Sequence, residues 1–431
     1  MVLPASAAPA LTLAEKLLSR AAGETARAGE FLVCDVDQAM GTDASVPMAL
    51  DYFSAMQPEA GLPAPARADA LAFAFDHYGA GSGPRALALQ EQARAYAQVH
   101  GVHVFEVGEG IGHQRMMESG RVLPGRLVVA ADSHAVSYGA LNAFGTGIGS
   151  SDLAGVLQCH QVWLRVPATL RVDLVGSLSA GVSAKDAALV LIGQLGADGA
   201  SAMALEFGGD GLRALDMDDR IVLANMSVEA GAKAGLFPCD AVTRDWLTAH
   251  GAGLGEPLAA DADCEYAGRI TFDLGAVGPQ LALPHQVDNV VDPAGLSPLD
   301  VHIVYLGTCT GGRVKDFHEA LDVLRGGRLA PGVQLIVAPA SAAVAAALEA
   351  DGSMAAFRDL GADIRQPGCA GCCGTCGPAP ADGSRVVSTA NRNFLGRMGN
   401  RASEIVLGSP RTCAEAALRG QVGMKPDEAA R

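Results

Sequence analysis

The sequence predicts an α/β protein of several domains, built on parallel sheets with its polar residues gathered just past the strands. Three observations predict it. The chain has 431 residues, enough for more than one domain and a sizeable core. Hydrophobic residues make up 49% but aromatics only 5%, and 53 residues are glycine, a balance that suits tight strand–helix turns better than a β-sandwich. Short apolar runs alternate with helically periodic ones, and the polar clusters fall where open parallel sheets place their ligands.

Residues 12–22 carry apolar positions at helical spacing. FLVCDVDQ, at 31–38, reads as a strand, followed by a loop and the helix VPMALDYFSAM. LAFAFDHYG is a buried strand that ends at Asp76 and His77, in loop position. A long helix, RALALQEQARAYAQVHG, precedes the strand VHVFEV and the glycine-rich loop GEGIGHQ. Strand RLVVAADSH ends at a second polar cluster, and GALNAFGTGIGSSDLAGVL reads as a glycine-rich turn leading into a helix. LRVDLVGSLSAGVSAKDAALVLIG opens a second unit near residue 170. Residues 251–300, rich in Gly, Ala, Pro and Asp, form a boundary or long connection. From VHIVYLGTCTGGR the α/β rhythm resumes, with PGVQLIVAPA and RVVSTA as its clearest strands and an alanine-rich helix at 341–350. No fixed-period repeat is present.

The formal net charge of −16 argues against nucleic acid as a partner, because such a surface repels phosphate backbones. No run approaches the roughly 18 apolar residues of a membrane-spanning helix. The N-terminal MVLPASAAPA lacks a basic start and runs straight into a helix, so it reads as a short extension of a cytoplasmic protein rather than a signal peptide.

Ten cysteines are unevenly placed: Cys34, Cys159, Cys239, Cys264 and Cys413 are scattered, while Cys369, Cys372, Cys373 and Cys376 crowd into PGCAGCCGTCG. In a reducing compartment such a cluster indicates a metal or redox site, and the scattered cysteines read as small buried apolar residues. Cys369 and Cys372, in C-x-x-C spacing, can grip one metal or two corners of a cluster. Cys373 and Cys376 leave a four-cysteine zinc knot open as a rival. Cys309 lies on the glycine-rich loop of YLGTCTGGR, and three thiolates match a [4Fe–4S] cluster that keeps one iron open as a Lewis acid.

GTCTGGRVKDF, then PGCAGCCG, then STANRNFLGRMG resemble the cluster-binding and substrate-binding motifs of the aconitase family, in the 3-isopropylmalate dehydratase large-subunit branch. DHYG, EVGEGIGHQ, AADSHAVSYGALNAFGTGIGSSD, LANMSVEAGAKAGLFP and GPQLALPHQVDNV resemble further family segments, so the likeness covers nearly the whole chain. It implies three α/β/α domains around a central cleft, at 1–170, 171–295 and 296–431, with a swivel domain carried on a separate small subunit together with the catalytic base. It also implies a hydro-lyase of leucine biosynthesis or a related pathway.

Carried over residue by residue, the resemblance makes Cys309, Cys369 and Cys372 the cluster ligands. Asp76 and His77 become the proton donor to the leaving hydroxyl, His113 pairs with Asp132, and His134 pairs with Glu206, for which Glu229 in a related segment is the alternative. Asn391, Arg392 and Arg397 become a substrate-carboxylate clamp, and Ser133 contacts substrate or holds its loop. Three positions depart from the family pattern. Gly311 follows Cys309-Thr310 where asparagine is usual, Thr42 stands where this branch commonly has histidine, and Cys373 stands where an aliphatic residue is usual. The first two touch the substrate pocket, leaving maleate, citramalate, dimethylmalate, homocitrate or another specialised acid as alternatives to 3-isopropylmalate. An iron-responsive RNA-binding regulator is the rival of another class, against which the acidic balance argues.

Overall fold

The strand signals in the first third of the chain resolve into a five-stranded parallel sheet. The computed structural model describes residues 10–57, 62–79, 81–375 and 379–423. Most of the N-terminal extension, Cys376 and the charged tail lie outside the described residues.

In the first sheet the strand order is His103–Phe105, Leu71–Ala74, Gln38–Thr42, Leu127–Ala130 and Phe144–Gly147, all parallel. Leu71–Ala74 and Leu127–Ala130 are buried at every position, as expected of strands covered on both faces. The segment read as one strand at 31–38 is two. Phe31–Asp35 leaves the sheet to pair antiparallel with Gln161–Arg165, and Gln38–Thr42 enters it. The strand Phe144–Gly147 lies inside the segment read as a glycine-rich turn. Two of its four residues, FGTG, are glycines, which weaken a strand, and its pairing with Leu127–Ala130 supplies the conformation.

The helices start where the sequence caps them. Leu13–Ala22 opens with a capping box between Thr12 and Glu15 and closes on Gly23, whose φ of 72° is left-handed. Val46–Met56 and Pro84–His100 each carry proline in the first turn.

The second sheet is parallel and four-stranded, in the order Ala234–Leu236, Met203–Gly208, Ala168–Val175 and Gly268–Asp273. The third has seven strands: Asp363–Ile364, Gln334–Ala338, Ile303–Gly307, Arg385–Ser388 and Glu404–Gly408 run parallel. Leu281–Ala282 and Val290–Val291 add antiparallel at its edge. These short strands come from the weakly periodic connection, so the third sheet draws on residues before 296.

One apolar cluster joins residues of all three sheets, including Met40, Ala130, Leu205 and Tyr305, with Cys372 of the cysteine loop, so the sheets meet over a shared core. Two close approaches need glycine. A Cβ on Gly110 (φ +135°) would meet Ala340 O at 2.5 Å, where the loop before His113 docks on the third sheet. A Cβ on Gly139 would meet Gly235 O at 2.0 Å, where the first sheet packs on the second. Among the described residues no helix is long and apolar enough to cross a membrane.

Candidate active site

The chemistry collects where strand ends from the first and third sheets converge. Asp76 and His77 follow Leu71–Ala74, and Asp132 to His134 follow Leu127–Ala130. Cys309 follows Ile303–Gly307, and Asn391 follows Arg385–Ser388. All lie past the C-terminal ends of parallel strands. Asp76, His77, His113, Asp132, His134, Cys309, Cys369, Cys372, Asn391, Arg392 and Arg397 line one cavity. Three larger cavities, of about 470, 680 and 360 Å³, are bounded mostly by other residues and, among the described residues, hold no such constellation.

Three histidines are each held by a carboxylate. Asp76 Oδ1 lies 2.7 Å from His77 Nδ1, and its Oδ2 accepts from Gly112 N at 2.8 Å. Burial works against charge on His77, but Asp76 outweighs it and raises the imidazole well above its usual range. His113 Nε2 lies 2.9 Å from Asp132 Oδ1, with its Nδ1 3.0 Å from Tyr138 OH. Burial likewise opposes the charge of Asp132, yet His113 and His134 together hold its carboxyl well below the ordinary range. His77 Nε2 is 3.8 Å from Asp132 Oδ2, so the first two pairs share one electrostatic network.

The third pair corrects the expectation. His134 Nε2 meets Glu229 Oε1 at 3.1 Å, not Glu206. Glu206 is buried on the strand Met203–Gly208, where it accepts from Arg171 at 2.8 Å, Tyr266 at 2.6 Å and Leu13 N at 3.0 Å. It braces the second sheet against the N-terminal helix and does not line the cavity. Glu229 sits on the turn after the helix Met217–Met226, which packs against the turn Ser133–Leu141 carrying His134. Burial again opposes its charge, and His134 and Arg392 hold it below the usual carboxylate range.

The sulfurs are met by nitrogen donors. Asn225 Nδ2 and Asn391 Nδ2 donate to Cys309 Sγ at 3.3 and 3.1 Å, and Arg397 lies 3.6 Å from Cys372 Sγ. Cys372 and Cys373 both reach Cys369 by hydrogen bonds. Burial pushes the Cys309 thiol up to about 12, far from the range of a free nucleophilic thiolate. Arg392 does not stand open as a simple clamp: its Nε binds Glu229 at 2.8 and 3.1 Å. Ser133 lies in the turn between Asp132 and His134, with its Cα packed where a Cβ on Gly147 would fall, and does not itself line the cavity.

Three residues of the network, Asp43, Asn225 and Lys185, carried no signal in isolation, and Glu229 entered only as the alternative to Glu206. Asp43, fully buried, accepts from the backbone of His77 and Tyr78 at 3.1 and 2.8 Å and fixes the Asp76–His77 loop. Burial, then Asp76, raises its carboxyl to about 6. Asn225 and Glu229 lie four apart on one helix–turn segment, a spacing that places both on one face and could have flagged them together. Lys185, also buried, donates to Ala390 O at 2.5 Å and Thr389 O at 3.3 Å, pinning the turn that carries Asn391.

Two of the departing positions have a structural account. A Cβ on Gly311 would meet Thr389 Cβ at 2.4 Å, so asparagine there requires Thr389 to move. Thr42 Oγ1 is 3.1 Å from Ser45 Oγ, in the turn into the helix Val46–Met56.

The family model described as the aconitase family (aconitate hydratase) matches residues 24–298 and 294–420. The large subunit 1 of 3-isopropylmalate dehydratase from Methanopyrus kandleri is 39% identical over 412 residues, covering 95% of this chain and 98% of that protein. The homoaconitase large subunit of Thermus thermophilus is 40% identical over 417 residues, 95% of this chain and 96% of that one. The 2,3-dimethylmalate dehydratase large subunit of Eubacterium barkeri is 37% identical over 422 residues, 97% and 99% of the two chains. The resemblance drawn from the motifs therefore holds over almost the full length: the chain belongs to the aconitase family and is an enzyme of the hydro-lyase class.

Proposed function

We propose that this chain is the large subunit of a [4Fe–4S]-dependent hydro-lyase that removes and readds water on a small hydroxy di- or tricarboxylic acid, 3-isopropylmalate or a close analogue. The observation that carries the reading is the convergence of Cys309, Cys369 and Cys372 with three carboxylate-held histidines on one cavity.

The residues present fit the cluster. Three thiols serve a cluster of four irons, and amide and guanidinium donors aimed at sulfur are the outer partners that set a cluster's potential. When bound, the cluster supplies an iron with an open position, a Lewis acid for the substrate's oxygens. The chain's own residues supply the rest. His77, charged through Asp76, gives its proton to the departing hydroxyl. His113 with Asp132 and His134 with Glu229 orient water and hydroxyl beside it. Asn391, Arg392 and Arg397 hold substrate carboxylates, and a fixed orientation contributes several kcal/mol to such a step.

The remaining requirement is a base for the carbon acid. Asp76, Asp132 and Glu229 are each already paired with histidine or arginine, so none is available for it. We assign the base to a separate small subunit, in keeping with the large-subunit names of the relatives. Nine free cysteines among the described residues suit a reducing compartment, and we place the enzyme in the cytoplasm. A second reading, a related acid such as dimethylmalate, citramalate, maleate or homocitrate, is favoured by Gly311, which takes a polar side chain out of the cysteine loop, and by Thr42, whose hydroxyl is engaged by Ser45.

The test is anaerobic reconstitution with iron and sulfide counted. About four of each per chain, lost in Cys309→Ala, is the expected outcome. A chain that takes up neither overturns the reading.

A further inference from the structure

Cys373 has no part in the chemistry above, and its surroundings point to a different ligand. The ligand atoms of His77, Cys369 and Cys373 all lie within 4.8 Å of one another. A tetrahedral zinc ion, with bonds of about 2.3 Å to sulfur and 2.0 Å to nitrogen, holds its donors about 3.5–3.8 Å apart. The three side chains therefore need shifts on the order of 1 Å, within the reach of a χ rotation.

The two loops that carry these donors are already fastened together. Cys369 N donates to Asp76 O at 2.9 Å, and Thr375 Oγ1 donates to His77 O at 2.6 Å. The same Thr375 hydroxyl lies 2.7 Å from Cys373 Sγ. His77 Nδ1 is held by Asp76 at 2.7 Å, which leaves Nε2 as its metal-binding nitrogen. A carboxylate behind a ligating imidazole is the usual second partner of a metal-bound histidine, fixing the tautomer and ring orientation. Two thiolates and an imidazole form a soft donor set that selects zinc over magnesium or calcium.

We propose that, in the chain without its cluster, His77, Cys369 and Cys373 bind one thiophilic divalent cation such as zinc, with the fourth position left to water or another ligand. Both sulfurs bind as thiolates, any proton they still carry going to solvent, and every oxidation state is unchanged. Cys369 is the sulfur shared with the cluster proposed above, while Cys309 and Cys372 belong to the cluster alone. The two metal sites are thus mutually exclusive but use separable residues, so the zinc site stands or falls independently of the cluster. Zinc bound here also removes the His77 imidazole from proton transfer, so it would hold the cluster-free chain in an inactive form.

The experiment uses the full-length chain stripped of metal under reducing conditions, titrated with zinc against a chromophoric chelator and, separately, with cobalt. Wild type should take up one equivalent, and the cobalt form should show thiolate charge-transfer absorption. Cys373→Ser and His77→Ala should each weaken zinc by 100-fold or more and reduce the charge-transfer band. Cys372→Ser and Cys309→Ala should bind zinc within threefold of wild type while failing to assemble a cluster. Zinc preloading should slow anaerobic cluster assembly about tenfold in wild type and leave Cys373→Ser unaffected. X-ray absorption at the zinc edge, expected to show two sulfur neighbours and one nitrogen, keeps the test decisive if a variant folds poorly. Zinc affinity that falls with Cys372→Ser or Cys309→Ala but not with Cys373→Ser overturns the proposal, as does a three-sulfur site without nitrogen.

Discussion

Replacing Glu229 by glutamine keeps the shape of the side chain and removes its charge, which separates the paired glutamate from its rival at 206. Glu229 is 9% exposed and accepts from Arg392 Nε at 2.8 and 3.1 Å and from His134 Nε2 at 3.1 Å. Charge-assisted hydrogen bonds contribute about 1.5–3 kcal/mol each, and a buried cation left facing a neutral amide adds to the loss. Arg392 is 24% exposed and can turn to water, which discounts the total to about 3–4 kcal/mol. At 1.4 kcal/mol per tenfold, a loss of that size in the transition state lowers kcat by about 10²–10³. Burial opposes charge on His134 while Asp132 and Glu229 raise its pKa, so the variant removes one of those two carboxylates, and Arg392 loses the partner that orients its guanidinium.

The assay is hydration of the unsaturated acid by the chain reconstituted with the proposed cluster and small subunit. Rates are taken per cluster so that lost iron is not read as lost catalysis. Glu206→Gln is the control: it disturbs Arg171, Tyr266 and Leu13, so it should lower the melting temperature and leave kcat per cluster within about twofold. A hundredfold loss in Glu206→Gln alongside a near-normal Glu229→Gln would refute the assignment and the geometric reasoning behind it.

Two further outcomes are expected. Asn391→Ala deletes the 3.1 Å amide contact to Cys309 Sγ, so the cluster's reduction potential should move to more negative values in a redox titration; an unchanged potential shows that this donor does not tune the sulfur. Glu319 has a buried Oε2 without a hydrogen-bond partner among the described residues, and burial followed by Asp316 raises its carboxyl from 4.5 to about 8. In that window the folded chain keeps a proton that the unfolded chain has released, so the group's contribution to stability is lost as pH rises. Glu319→Gln should therefore flatten the fall in stability between pH 4.5 and 8 and leave the chain more stable than wild type at pH 8, on the order of 1–3 kcal/mol, measured by denaturant unfolding.

Much of this site could be read along the chain because its partners are neighbours. Asp76 with His77, Asp132 with His134, Cys369 with Cys372, and Asn391 with Arg392 are local motifs, set by turns at strand ends that the apolar runs already mark. The family and the α/β class followed from the order of those motifs and the alternation of strand and helix. Tertiary structure decided what had no local mark. Glu206 is buried and Glu229 partly so, and only the packing of Met217–Met226 on Ser133–Leu141 brings one of them to His134 and leaves the other with Arg171. FGTG became a strand because a neighbouring strand offered it hydrogen bonds. Asp43, Lys185 and Asn225 joined the network because a buried polar group must find a partner, and the partner lies on another sheet, loop or helix. Sequence spacing determines which side chains share a turn; which turns share a cavity depends on the three sheets closing over one core.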